Sequence, residues 1–393
     1  MTFRRRPEAD CAVSQDSCGL HFLSPTTLQA VRCHKNFESM TMRTSLLVLT
    51  AHLLFLVYLP TGSAASSNPQ SAHEGYQVAE SGHLGRAGVF RQDIYWLDDD
   101  RIVFVGVEPG EFRTERGRRV ASDNLYVWNV KTAKIRKHAE LSWNASLCVS
   151  GNYVRFNFAR AGVEMVAFGD FAREHEHELD IQAMKDGILA VSPVSCQEYN
   201  PKRLKKRYGA NPLPLRNRGE YLDRTTGHYV EPLRYFPADG GEPVKLAAIP
   251  NRDVNTTPIY SAFAKKYVFG SWQKSIDSRA PKRMYLLDKS GDVQHYDTPV
   301  GSWMGGRVHA LPAATGWILT STAVGQSQSI GAAGVYLAHG QRTIRLIKGI
   351  PYTFAISPNG CGVAVSIDMD WGRASAPRIV ALNVCSREAR LGN

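Results

Sequence analysis

An all-β chain assembled from a repeated antiparallel unit is the fold class this sequence predicts, and three observations predict it. A hairpin pattern recurs. Asp123–His138 passes from an apolar strand, Leu125 to Trp128, through a polar turn, Asn129 to Lys134, into a more polar return strand. The pattern comes back at Met284–Tyr296 and at Val335–Ile347, and a unit returning every few tens of residues signals a repeat architecture. Short apolar runs bounded by Gly, Asp, Asn and Ser follow one another along the body, as antiparallel strands do, while helical periodicity is nearly absent. Finally, 33 Gly and 20 Pro among 393 residues suit a turn-rich chain.

Taken in order, the chain opens on residues 1–41, which read as a gene-model extension or a disordered segment, with Met40 and Met42 as alternative starts. Residues 42–64 read as a secretory signal peptide. Arg43 precedes the apolar run 45–60, and Gly62-Ser63-Ala64-Ala65 supplies small residues for cleavage. The run is shorter than the roughly 20 residues a membrane span needs, so no stable span is expected after cleavage; an uncleaved signal anchor is the competing reading. Residues 65–86 are rich in Ser, Gly and Ala and read as a linker or a closing strand.

Residues 87–393 hold the repeats. Blade-like units are read at Val89–His138, Ser146–Glu178, from Ile188 to Leu246, Thr257–Tyr296, Gly306–Ile347 and Tyr352–Val384. One such sheet cannot hide both of its faces, so neighbours must bury one another. Closing the series into a ring also removes the exposed edges. The expectation is therefore a β-propeller, six-bladed with seven as the alternative, carrying a basic insertion in blade three. A β-sandwich fits less well, because the hairpin unit returns too often.

Ile356-Ser357-Pro358-Asn359-Gly360, and more weakly Val191-Ser192-Pro193, resembles the Ser-Pro-Asp-Gly turn of WD40-like and TolB-like propeller repeats. Pro sets φ for the first turn position and Gly takes the positive φ that follows. The resemblance implies that this turn joins the first and second strands of a blade. It also implies a periplasmic or secreted binding module that acts as an interaction platform. The separate N-terminal α/β domain that TolB itself carries has no counterpart here.

Net charge is +11, and the first 64 residues hold only six Lys/Arg against four Asp/Glu. The basic body favours anionic partners, with a scattered positive surface as the competing reading. The charge concentrates at 197–231, read as a surface loop too long for an ordinary blade connection. Lys202, Arg203, Lys205, Lys206, Arg207, Arg216 and Arg218 are its candidate contacts to carboxylate or phosphate. Only Tyr199 and Tyr208 flank this cluster, so a base-stacking groove and a nucleic-acid partner are not expected.

Four cysteines follow the leader, and export permits disulfides. Cys361–Cys385 is expected across a blade-six hairpin and Cys148–Cys196 between blades two and three. Trp272 and Trp303, each after Gly-Ser, are candidate ligand contacts; the other tryptophans in the body read as core. His175 and His177 on one strand face, and Asp368 and Asp370 in a loop, could offer metal ligands, yet a solvated strand and ordinary turn acids are the simpler readings. No metal and no cofactor are expected. The chain lacks a Gly-x-Ser-x-Gly elbow, a His-Glu-x-x-His helix and a phosphate loop. The function expected is an exported, monomeric, non-enzymatic binding module for a protein or an anionic glycan or envelope component. The alternative is a propeller hydrolase or lyase acting on a sugar or lactone through channel carboxylates.

Overall fold

The computed structural model describes residues 76, 78–86, 92–111, 113–115, 118–120, 123–140, 146–160, 163–171, 179–183, 190–192, 194–208, 212–215, 220–223, 233–247, 249, 258–270, 283–298, 308–321, 333–340, 342–369 and 377–386. The leader read at 42–64 and everything before it lie outside them. Among the described residues the chain is antiparallel sheet with a single α-helix, Pro201–Tyr208.

Six four-stranded groups follow one another along the chain. The first is Ile94–Trp96, Arg101–Val107, Asn124–Asn129 and Lys134–Glu140. The second is Ser146–Ser150, Tyr153–Arg160, Val163–Asp170 and Asp180–Ala183. The third is Pro212–Pro214, Tyr221–Asp223, Leu233–Phe236 and Val244–Leu246. The fourth is Ile259–Ser261, Lys266–Gly270, Arg283–Leu287 and Val293–Asp297. The fifth is Val308–Ala313, Gly316–Ser321, Gly334–His339 and Arg342–Lys348. The sixth takes Ile350–Ile356, Gly362–Asp368 and Arg378–Asn383 from the end of the chain and Val78–Gly85 from its beginning.

That last pairing closes the fold. Val78, Ala79, Glu80 and Leu84 face Leu382, Ala381, Val380 and Arg378. A bulge at Gly82, whose φ is +73°, lets the strand continue. Leu84 and Gly85 then pair with Val107 and Gly106 of the first sheet. Residues 65–86 therefore include a closing strand.

Burial shows how the sheets stack. In Arg101–Val107 and Asn124–Asn129 both faces are buried, and period-two alternation sends them to different neighbours. Ile102, Phe104, Tyr126 and Trp128 pack with Ala355, Ala364, Ile379 and Ala381 of the sixth sheet. Val103, Val105, Leu125 and Val127 pack with Leu147, Val154, Phe156 and Phe158 of the second. The fourth sheet divides in the same way. Tyr267, Phe269, Tyr285 and Leu287 meet Leu222, Leu233 and Tyr235 of the third, while Val268 and Met284 meet the fifth, whose core continues into Val363 and Val365 of the sixth. The first sheet lies between the sixth and the second, and the third, fourth, fifth and sixth stack in chain order. This cyclic stacking is that of a β-propeller.

One seam is built differently. Among the described residues no apolar cluster spans the second and third sheets. Between them stands a small hairpin, Ala190–Val191 paired with Glu198–Tyr199. It is joined to the second sheet by the Cys148–Cys196 disulfide, Cα–Cα 5.5 Å, and by an Arg155–Glu198 ion pair of 2.5 Å.

Three readings of the chain change here. Blade three does not run on from 188–193 through a loop at 197–231. Pro212–Pro214 and Tyr221–Asp223 are the first two strands of the third sheet. Proline is tolerated there because Pro212–Pro214 is the edge strand. The fourth strand of the second sheet is Asp180–Ala183, beyond the end read at Glu178, and His175 and His177 lie outside the described residues. The basic run is a helix. Asn200 caps it, its Oδ1 accepting from the Lys202 and Arg203 amides at 3.0 and 3.1 Å. Pro201, with φ already helical, takes the first turn.

Candidate functional site

The turns between first and second strands converge on one end of the fold. Ser357-Pro358-Asn359-Gly360 is such a turn: the Gly360 amide donates to the Ser357 carbonyl at 2.9 Å and Gly360 has φ of +78°. The Asn359 amide donates to Asp99 Oδ1, 2.8 Å away, in the corresponding turn of the first sheet. The Ala314 amide of the fifth sheet donates to the Gly360 carbonyl at 3.0 Å. Ser192 repeats the pattern in the small hairpin. Its amide donates to the Gln197 carbonyl five residues on, as the Ser357 amide does to that of Gly362. Inside that loop the turns differ: the amide that donates back to the serine carbonyl is that of Cys196, with φ of +56°, in the hairpin and that of Gly360 in the sixth sheet.

These turns and first strands enclose a cavity of about 90 Å³. Its lining comes from five sheets and includes Tyr95, Trp96, Val149, Tyr260, Leu311 and Ile356, with Gln92 and Ser261 as its polar side chains. The Tyr95 hydroxyl donates to the Leu147 carbonyl at 3.4 Å, and burial, aided by nearby Asp93, pushes its pKa well above the usual phenol value. The Trp96 indole N–H donates to the Ala355 carbonyl at 3.1 Å. Among the described residues that line it there is neither a carboxylate nor a cation. Nothing there is poised to give or take a proton near neutrality. The volume falls well short of the ~300 Å³ at which small-molecule pockets begin. Among the described residues no three His, Cys, Asp or Glu side chains gather to hold a metal.

The helix Pro201–Tyr208 is the second feature. Lys202, Arg203, Lys205, Lys206 and Arg207 are exposed, and Leu204 and Tyr208 are half-buried. Tyr208 anchors it, its ring 4.9 Å from both Tyr221 and Phe236 of the third sheet. Arg234 Nη2 donates to the Tyr208 carbonyl at 3.1 Å and so caps the C-terminus. Arg207 lies over the Tyr208 ring, 4.9 Å from its centroid. Lys202 and Lys206 form one i,i+4 row, Arg203 and Arg207 a second. Like charges at that spacing disfavour a helix, and the helix contains no acid in its first turn to offset them.

Of the remaining candidates, Arg216, Arg218, Trp272, Trp303 and Asp370 lie outside the described residues. Asp368 is not a loop ligand: it is buried and ends the strand Gly362–Asp368. Both expected cysteine pairs are bonded, Cys361–Cys385 with Cα atoms 5.2 Å apart. Trp128 is buried core with Trp96 packed in the same cluster, and Trp317 packs on the core of the fifth sheet. The helix itself was missed in the sequence, although the Asn200-Pro201 pair is a capping signal that announces it.

No family model matches the chain, and no curated protein matches it. Among solved structures it is similar to an oligogalacturonate lyase from Vibrio parahaemolyticus, at 12% identity over 79% of this chain and 94% of that one, TM-score 0.46. An oligogalacturonate lyase in complex with manganese gives 12% identity over 80% and 94%, TM-score 0.43. The β-propeller domain of the Trilobed protease from Pyrococcus furiosus gives 11% over 72% and 78%, TM-score 0.31. Likenesses this distant assign no residue and no chemistry. Among the described residues no helix is long and apolar enough to cross a membrane.

Proposed function

We propose that this chain is an exported β-propeller that works as a binding module, periplasmic or secreted and monomeric, and that it engages a protein or anionic partner. The observation that carries this reading is the contrast between two sites. The cavity where the first strands converge is small and uncharged in its lining, whereas five cations stand exposed on a helix fixed to the third sheet. Charge held on a helix that is fixed to a rigid ring suits recognition. The reading takes the six four-stranded groups as six blades, with the hairpin 190–199 as an addition to the ring.

Hydrolase or lyase chemistry through channel carboxylates would need acids on the axis, and the described residues that line this cavity include none. Two disulfides favour an oxidising compartment, as export requires. The test is retention of the mature protein on an immobilised polyanion at low salt. The variant K205A/K206A/R207A should elute at lower salt than the wild type. Equal elution would count against the helix as the contact surface.

A further inference from the structure

We infer that the partner of the helix Pro201–Tyr208 is a linear polysaccharide carrying carboxylate or sulfate groups, gripped by two parallel cation rows away from the axial cavity. This rests on the reading of the helix as an anion-binding element and names the class of anion. The rows are Lys202 with Lys206 and Arg203 with Arg207. Residues four apart share a helix face, about 6 Å along the axis, so the face offers two successive charges to each of two tracks. All four are exposed, and Arg207 lies over the Tyr208 ring. Arg203 and Arg207 supply the planar fork that suits a carboxylate or sulfate, and Lys202 and Lys206 supply compact charge beside it.

Other polyanions fit the described face of this helix less well. Single-stranded nucleic acid needs free aromatic faces for stacking. The aromatic of this helix, Tyr208, is already committed to Tyr221, Phe236 and Arg207. A bilayer needs an apolar wedge or a second anchor besides the basic patch. The helix turns Leu204 partly inward, and the apolar residue that it exposes is Pro201 in its first turn, too small to serve as a wedge. An acidic protein partner needs an apolar or aromatic centre inside the charged rim, and the helix face has none. A glycan asks for none of these: it is hydrophilic, extended and charged at intervals. None of the residues lining the axial cavity belongs to 190–246, so the two sites are separate.

The experiment compares the mature chain with two variants on four probes: heparin, hyaluronate, phosphatidylglycerol vesicles and a single-stranded oligonucleotide. K202Q/R203Q/K206Q/R207Q removes both rows with a good helix former. R203K/R207K keeps every charge but removes the fork. Exposed ion pairs are each worth a factor of roughly two, so the fourfold variant should bind glycan roughly 15-fold more weakly. The lysine variant should lose part of that affinity at unchanged net charge. Circular dichroism and the thermal midpoint verify that both variants are folded. Tighter binding to vesicles or oligonucleotide than to either glycan, lost in the fourfold variant, overturns the glycan assignment and leaves the anion-binding reading standing. Glycan binding that the fourfold variant retains in full, or a wild-type chain that binds no probe, overturns both.

Discussion

The seam between the second and third sheets should depend on sulfur more than any other. Replacing Cys148 and Cys196 together by alanine releases a loop of 48 residues in the unfolded chain. Loop-closure entropy for that length amounts to about 4 kcal/mol at 25 °C. The Cys361–Cys385 bond closes 24 residues, for which the same relation yields about 3.5 kcal/mol. The native side widens the difference. Cys361–Cys385 ties a turn to its own sheet, where the Val384 amide also donates to the Cys361 carbonyl at 2.9 Å. Cys148–Cys196 ties neighbouring elements that Arg155–Glu198 also joins. Around that link Arg155 Nε and Asn157 Oδ1 are buried without a hydrogen-bond partner, each a cost of about 1–3 kcal/mol. Against a typical stability of 5–15 kcal/mol, losing about 4 is severe. Guanidinium denaturation followed by tryptophan fluorescence reads the difference as a midpoint shift at unchanged slope. The reasoning is refuted by a loss below about 1 kcal/mol for C148A/C196A, or by free thiols at both positions in the native protein.

Other expectations follow from single contacts. Gly362→Ala places a methyl 2.6 Å from the Trp96 indole at the meeting of the sixth and first sheets; overpacking there should cost about 1–3 kcal/mol and lower the thermal midpoint. Glu220 is buried and accepts from the Tyr267 hydroxyl at 2.7 Å and the Tyr235 hydroxyl at 3.1 Å, linking third and fourth sheets. Glu220→Ala should cost about 2–4 kcal/mol in the same denaturation assay, and a neutral result would mean that this contact is not formed. Burial beside Trp317, whose ring stacks 4.0 Å away, pushes the Tyr296 hydroxyl up to about 12. A pKa raised in the folded state contributes stability that is intact below pH 10. That stability is lost as pH rises toward 12, because the unfolded chain releases its proton first. Tyr296→Phe should flatten that alkaline limb; an unchanged limb would show that Tyr296 is not its source.

How much of this was legible depends on the length over which a signal repeats. The hairpins at 123–138, 284–296 and 335–347 repeat period-two alternation over both strands, and the structure places strands in all three. The Ser357–Gly360 turn was readable because its backbone demands Pro and Gly at fixed places. The third sheet was not. Its strands are only three or four residues long, too short to show a period, and two prolines in Pro212–Pro214 argue against a strand until its edge position is known. The helix lasts eight residues with two half-buried side chains, so it leaves almost no 3.6-residue stripe; its cap was the better clue. The emptiness of charge around the cavity was invisible for a different reason, since Gln92, Val149, Tyr260, Leu311 and Ile356 come together only once the ring has closed.

Ring closure through the first strand is the claim on which both sites depend, and cross-linking reaches it directly. Ala79 and Ala381 are opposite one another in the pairing of Val78–Gly85 with Arg378–Asn383, where Cα atoms of antiparallel partners stand about 4.5–5.5 Å apart, within disulfide range. In A79C/A381C, mild oxidation of the native protein should join the two peptides in a single cross-linked fragment after proteolysis and mass spectrometry, while A79C paired with a cysteine at Ile344 on the fifth sheet should not. A fragment linking 79 to 344, or two free thiols at 79 and 381 in folded protein, would contradict the closure.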